Sequence, residues 1–335
     1  MAGEAEVLII GGGAIGGVLA SLLAGEIGRL VILDPASAHA ARMRDPGLRV
    51  DSPAGDRTVA LDARTDPAQL DGRFDFALVT VKASALEPAL KPLVDAGIDN
   101  FVSLGNGMVQ DRVAAVVGAD RTMAGIIEWG ATNLGPGHVS RTSIGPIVVG
   151  ELDGAMRPRT QDFVARLGAL GQLELSTNLR GAIWTKLLVN STFAALGAVS
   201  GLTTGDVVAA ADGRRAARAL WREGFETAAA SEIRLEPIFG ATAADLVDSE
   251  VGADAAEANM RAALAGVGAT KASMLQDLEA GRLSEVDVIN GAVVAAGEAA
   301  AVPTPAQRRA VDLVHAIERG EAASEPANLT AVADA

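Results

Sequence analysis

The 335-residue chain has no cysteine, no tyrosine and only three histidines. Without cysteine there is no disulfide, thiolate nucleophile, iron–sulfur cluster or cysteine-held zinc, so redox chemistry would need a dissociable cofactor. Without tyrosine no mechanism can use a phenol as its acid, which excludes the tyrosine–lysine pair of the short-chain dehydrogenases. His39, His138 and His315 form no His-x-x-x-His pair. No metal site is expected, and with no partnered geometry in view all three read as surface or turn residues. Basic residues are also scarce. Lys and Arg number 28 against 42 Asp and Glu, a formal charge of −14, with no Lys- or Arg-rich block. That field argues against nucleic acid and anionic membrane as partners. The first ten residues carry Glu4 and Glu6 and no positive charge, the wrong opening for a secretory signal, so the expected compartment is the cytoplasm. The one long uncharged run, residues 187–205, is interrupted by Asn190, Ser191, Thr192, Ser200, Thr203 and Thr204. It reads as a buried helix followed by a loop rather than a membrane span.

What is present suits a folded chain of about two domains, with 49% hydrophobic and 21% charged residues. Apolar strands alternate with helices in the first half: Glu6–Ile10, a glycine turn, a helix over 14–23, then Arg29–Leu33. Strands over 74–81 and 100–104 follow, backed by helices over 84–94 and 109–117. This is the pattern of a parallel sheet covered on both faces. Extended segments with turn glycines over 122–129, 138–142 and 147–149 predict an antiparallel extension of that sheet, followed by a helix over 158–170 and the strand Leu173–Ser176. From 179 onward only Ala-rich helical periodicity remains. The predicted organisation is therefore a dinucleotide-type α/β domain over 1–178, an all-α domain over 179–320 and a loose tail over 321–335.

Gly11-Gly12-Gly13-Ala14-Ile15-Gly16 fits G-x-G-x-x-G between a strand and a helix, and the next strand ends in Asp34. In that context the motif marks a Rossmann-type, doubly wound dinucleotide fold. Gly11 permits the turn, Gly13 lets the backbone approach a pyrophosphate, and Gly16 lets the helix pack on the strand, while the N–H groups beginning at Ala14 and Ile15 face the anion. A carboxylate at Asp34 can accept ribose hydroxyls of NAD and would repel the extra phosphate of NADP. Arg42 and Arg44 could instead reach such a phosphate, and Asp34 could be a turn residue before Pro35. NAD is the expected cofactor, NADP stays open, and FAD is the rival within the motif.

Lys186 and Asn190 lie one helical turn apart among Leu187, Val189 and Phe193. They can offer an ammonium and an amide to one small volume, as proton donor and carbonyl binder. A lysine snorkelling from a helix edge is the alternative. Ser273 and Glu285 belong to a second polar concentration and could equally be surface or capping residues. Lys82 and Asn106 follow the fourth and fifth strands at the carboxyl edge of the sheet, where they are either site residues or turn residues.

Taken together, Thr80-Val81-Lys82-Ala83, Asn106-Gly107, Gly130-Ala131-Thr132, Gly135-Pro136-Gly137, Trp184-Thr185-Lys186-Leu187 with Asn190, Ser273-Met274-Leu275-Gln276-Asp277, and Glu285, Asp287 and Asn290-Gly291 resemble the ketopantoate reductase (2-dehydropantoate 2-reductase) family over about residues 6–320. The resemblance implies hydride transfer between a nicotinamide and a small 2-oxo acid in a cleft between two domains. It implies Lys186 as proton donor, Asn190 and Ser273 as substrate binders, Glu285 as the active-site carboxylate, and Lys82 and Asn106 beside the nicotinamide and its ribose. Two family asparagines on the substrate side correspond here to Ala194 and Thr204, and the best-known members are similar to NADP binders with a basic residue where this chain has Asp34. The expected activity is thus a 2-oxo acid reductase, or 2-hydroxy acid dehydrogenase in reverse. The alternatives are the family's NADP-dependent 2-dehydropantoate reduction and a non-enzymatic dinucleotide sensor. A homodimer is left open.

Overall fold

The computed structural model describes residues 4–238, 240–246, 251–265, 268 and 271–335. The chain folds as two units, Met1–Leu179 and Arg180–Ala335.

The strands of the first unit are β1 (Glu6–Ile10), β2 (Arg29–Leu33), β3 (Leu48–Asp51), β4 (Arg57–Val59), β5 (Asp62–Arg64), β6 (Phe74–Val79), β7 (Ile98–Ser103), β8 (Thr122–Ile127), β9 (Ala131–Gly135), β10 (His138–Arg141), β11 (Ile147–Gly150) and β12 (Leu173–Ser176). Its α-helices are α1 (Ala14–Leu23), α2 (Ser37–Arg42), α3 (Leu86–Leu90), α4 (Gln110–Val117) and α5 (Pro158–Arg166). Eight strands form one sheet in the order β12-β11-β8-β7-β6-β1-β2-β5. Every neighbouring pair is parallel except β11 with β8. The central strands are continuous apolar runs because both faces are covered: Val7 to Ile10 are buried, and so is all of β8. Phe163 of α5 closes one face, meeting Phe76 edge to face at 5.2 Å. The chain leaves β1 toward β2 on one side and returns to β6 on the other. This reversal opens a crevice at the carboxyl ends of β1 and β6, where such folds bind ligands.

The antiparallel extension is narrower than the sequence predicts. Only β11 runs antiparallel to β8, which itself runs parallel to β7. The segment around 138 leaves that sheet. β9 and β10 join β3 and β4 in a second sheet of order β4-β3-β10-β9, which the sequence pattern does not reveal because these strands are short and half-exposed. The second sheet leans on α1, where a Cβ at Gly17 would meet Leu48 at 3.2 Å and Val139 at 3.4 Å. The helix expected over 84–94 is reduced to α3 between two 3₁₀ turns, since Pro92 lacks the N–H that would continue it.

The second unit contains α6 (Leu179–Ser200), α7 (Thr204–Ala209) and α8 (Ala211–Ala230). The helices Ala243–Leu246, Ala253–Ala263, Ser273–Glu279, Val286–Ala300, Pro305–Glu318 and Asn328–Ala333 follow. Among the described helices α6 alone is long and apolar enough to cross a membrane, yet 78% of its apolar window is buried inside the protein. It is a core helix. Phe193 meets Trp221 of α8 edge to face at 5.6 Å, and Gly224 permits close approach, since a Cβ there would lie 2.4 Å from Leu188.

The tail is not loose. Leu329 and Val332 of the last helix are buried. The hydroxyl of Ser324 donates to Ala198 O at 2.7 Å, and the N–H of Glu325 and the amide of Asn328 donate to Val199 O at 3.0 and 2.8 Å. The last carbonyls of a helix have no partner within it, and residues 324–328 supply donors to α6.

Candidate functional site

The glycine turn joins β1 to α1. Gly11 has φ +96°, a left-handed backbone that suits glycine, and a Cβ there would stand 2.9 Å from Val81. At Gly16 a Cβ would fall 1.9 Å from Gly11 O and 2.6 Å from the Thr80 hydroxyl, so α1 can sit this close to the strand ends only with glycine there. Around Gly13 nothing lies within 4 Å of the Cβ position. No side chain caps the N-terminus of α1, and no acidic residue sits in its first turn. An open approach, uncapped helix N–H groups and a first helical turn without an acidic residue fit a pyrophosphate.

Asp34 is buried at the end of β2, and both its oxygens are engaged: Oδ2 accepts the N–H of Gly12 at 2.8 Å, Oδ1 that of Ala36 at 2.9 Å. The turn role and the cofactor role are compatible, because an ionised carboxylate offers about four acceptor sites. The guanidinium of Arg44 donates to Ala63 O at 2.7 Å. Arg42 packs its stem against Gly137, where a Cβ would lie 2.4 Å away.

The histidines depart from expectation. His39 is buried, with Nε2 at 2.7 Å from Gly12 O and Nδ1 accepting the N–H of Gly137 at 2.8 Å. His138 and His315 pair with Asp51 at 2.8 Å and Asp287 at 3.1 Å. No sequence signal marks His39, whose partner Gly137 lies 98 residues away. Thr80 has a role that its place in a motif does not disclose, since its hydroxyl donates to Gly11 O at 2.7 Å and ties β6 to the glycine turn.

Lys82 and Asn106 stand just past β6 and β7 at the same sheet edge as the glycine turn, Lys82 exposed and Asn106 half-buried. The structure thus brings Gly11, Gly13, Ala14, Ile15, Gly16, Asp34, Lys82 and Asn106 to one edge of the first unit.

In the second unit α6 is buried along most of its length, but Lys186 and Asn190 lie on its half-exposed stripe. One turn further, Ala194 is buried. Thr204 is buried at the start of α7, where Thr203 rather than Thr204 is the cap, its hydroxyl accepting the Asp206 N–H at 3.2 Å. Ser273 opens its helix in an exposed position, and Ala272 just before it faces α6, 3.5 Å from a Cβ built on Gly197. Glu285 is the N-terminal boundary residue of Val286–Ala300, but its side chain makes no capping bond to that helix. The helix is fixed to α6 by Asn290, whose amide donates to Ser191 O at 2.7 Å and to Gln307 at 2.8 Å. Gln307 is held in turn by Glu223, a buried carboxylate accepting the N–H groups of Ala306 and Gln307. Burial pushes the Glu223 carboxyl above the usual range, against the opposing pull of those two N–H groups.

A dinucleotide-type α/β unit followed by a helical unit presenting Lys, Asn, Ser and Glu defines a class of nicotinamide-dependent oxidoreductases. Comparison with known proteins gives the family. The profile "Ketopantoate reductase PanE/ApbA" matches residues 7–154 and "Ketopantoate reductase PanE/ApbA C terminal" matches 178–318, and the chain belongs to the ketopantoate reductase family. It is 29% identical over 328 residues to the 2-dehydropantoate 2-reductase of Archaeoglobus fulgidus, covering 94% of this chain and 98% of that one. With the enzyme of that name from Halobacterium salinarum it shares 27% identity, covering 94% and 99%. Among solved structures, a PanE/ApbA family ketopantoate reductase from Ralstonia eutropha JMP134 superposes with a TM-score of 0.78 at 27% identity, covering 94% and 99%. D-mandelate dehydrogenase, solved with NADH and anilino(oxo)acetate, shares the fold with a TM-score of 0.81 at 22% identity, covering 94% and 99%.

Proposed function

We propose that this chain, working in the cytoplasm, reduces a small 2-oxo acid with NADH and oxidises the corresponding 2-hydroxy acid in reverse. The observation that carries this reading is the pairing of Lys186 and Asn190 on the half-exposed stripe of an otherwise buried helix. An ammonium held there has an electrostatic use that a surface lysine lacks, because its charge acts in a partly desolvated setting. The reduced nicotinamide, when bound, supplies the hydride. Lys186 stabilises negative charge developing on the substrate's carbonyl oxygen and delivers a proton to it. Asn190 and Ser273 donate hydrogen bonds to the substrate, and Glu285 accepts one from it. Gly11 and Gly16 shape the turn, the backbone at Gly13 and the N–H groups of Ala14 and Ile15 hold the pyrophosphate, Asp34 holds the ribose, and Lys82 and Asn106 the nicotinamide end. With Ala194 and Thr204 where two asparagines would give polar partners, the pocket favours a 2-oxo acid whose side chain is less polar than that of ketopantoate, since an unpaired buried hydroxyl is costly.

The test is oxidation of NADH and of NADPH with branched aliphatic, aromatic and hydroxylated 2-oxo acids. Turnover that is fastest with NADH and a side chain lacking the hydroxyl is the expected result. Ketopantoate with NADPH as the best pair by tenfold or more would replace this reading with the plain family activity, and no turnover with any pair would remove it.

A further inference from the structure

Two side chains hold Gly12 from opposite ends. Asp34 accepts its N–H, which fixes the Gly11–Gly12 peptide; His39 takes its carbonyl oxygen, which fixes the Gly12–Gly13 peptide. The tautomer follows from the other ring nitrogen. Nδ1 accepts the N–H of Gly137 and so carries no proton, leaving Nε2–H to donate to Gly12 O. A trans peptide is planar, with its C=O and N–H pointing opposite ways. Holding Gly12 O toward His39 therefore turns the Gly13 N–H away from it, and Gly13 is the glycine of the turn with open space around its Cβ position. Glycines supply no steric restraint of their own, so the orientation of this peptide must come from a neighbour. Met43 closes the remaining side, its Cε 2.9 Å from a Cβ built on Gly12.

We propose that His39 is a positioning residue for cofactor binding: it anchors the glycine turn to the β9–β10 hairpin through Gly12 O and the Gly137 N–H, and so presets the peptide that meets the pyrophosphate. This rests on the nicotinamide reading above. It also gives the second sheet a function, since Gly137 sits in the β9–β10 turn at φ +75° and its carbonyl accepts the N–H of Arg49 in β3 at 2.9 Å.

The test is the affinity of wild type, His39→Leu and His39→Gln for ADP-ribose and NADH by titration calorimetry, beside the melting temperature without cofactor and kcat at saturating NADH. Gln keeps one donor and one acceptor and Leu keeps neither. Loss of two buried hydrogen bonds in His39→Leu should raise both Kd values about tenfold, with kcat at saturation within about threefold of wild type, while His39→Gln stays within about threefold of wild-type affinity. Should His39→Leu lose its fold, His39→Asn, which is polar but falls short of Gly12, carries the same expectation. Unchanged affinity in the folded variants, a Gln variant as weak as Leu, or a parallel fall of kcat at saturation each overturns the positioning role alone. Wild-type protein that binds neither ADP-ribose nor NADH overturns the nicotinamide reading and this inference with it.

Discussion

The carboxylate of Asp34 accepts the N–H of Gly12 at 2.8 Å, so the acid at the end of β2 and the turn after β1 form one rigid piece. Cofactor preference and cofactor affinity should therefore change together. Asp34→Ser is expected to lower kcat/KM with NADH about ten- to a hundredfold, the range for losing a hydrogen bond to a charged group, and to narrow the gap to NADPH. The comparison needs both cofactors at a fixed 2-oxo acid concentration. Wild type favouring NADPH would mean that Arg42 outweighs Asp34.

Lys186→Met keeps the stem that packs along α6 and removes the ammonium. Turnover should fall by about 10² to 10⁴-fold while NADH binding is retained. Single-turnover rates with saturating substrate read this directly, and a variant within threefold of wild type would return Lys186 to a packing role.

Ala194 is buried one turn beyond Asn190. Ala194→Asn supplies an amide where the family has one and should shift the ratio of kcat/KM values toward ketopantoate by about tenfold, the order of one neutral hydrogen bond to a substrate hydroxyl. An unchanged ratio would mean that position 194 does not meet the substrate.

Glu257 on the helix Ala253–Ala263 accepts hydrogen bonds from Arg218, Arg214 and Arg261, and these hold its carboxyl at about 2 instead of 4.5. A lowered folded-state value stabilises the fold above the unfolded value and ceases to do so as pH falls through the folded one. Glu257→Gln should therefore cost about 1–2 kcal/mol at neutral pH, allowing for solvent screening, and the deficit should shrink between pH 4.5 and 2. Urea unfolding of both proteins across that range checks it, and a deficit constant with pH would contradict the ion-pair account.

Leu329→Ala tests the packed tail. Truncating a fully buried leucine costs about 2–4 kcal/mol, whereas a loose tail would show no change in chemical denaturation.

Much of this protein is legible in its sequence because local rules govern it. The β1 turn, the apolar parallel strands and α6 follow from glycine placement and from runs buried on both sides. Lys186, Asn190, Ser273 and Glu285 stand out once the surrounding motifs are set beside the family that they resemble; by themselves the four could be surface or capping residues. What the sequence does not disclose is non-local. β3 and β10 are individually ordinary, and their pairing joins Arg49 to His138, residues far apart in the sequence. His39 has no meaning until the hairpin brings Gly137 to it. The last helix reads as dispensable because nothing in residues 321–335 states that Ala198 and Val199 lack donors.

That last dependence has a consequence for synthesis. Chains emerge from the ribosome N-terminus first, and domains fold largely as units. The first unit carries its own core and can form early. In the second, α6 is made long before Ser324, Glu325 and Asn328, the residues that complete its carboxyl end. Until they are made, the carboxyl end of this long apolar helix lacks those donors. A chain that stops short of residue 324 would therefore leave the Ala198 and Val199 carbonyls of α6 without these partners.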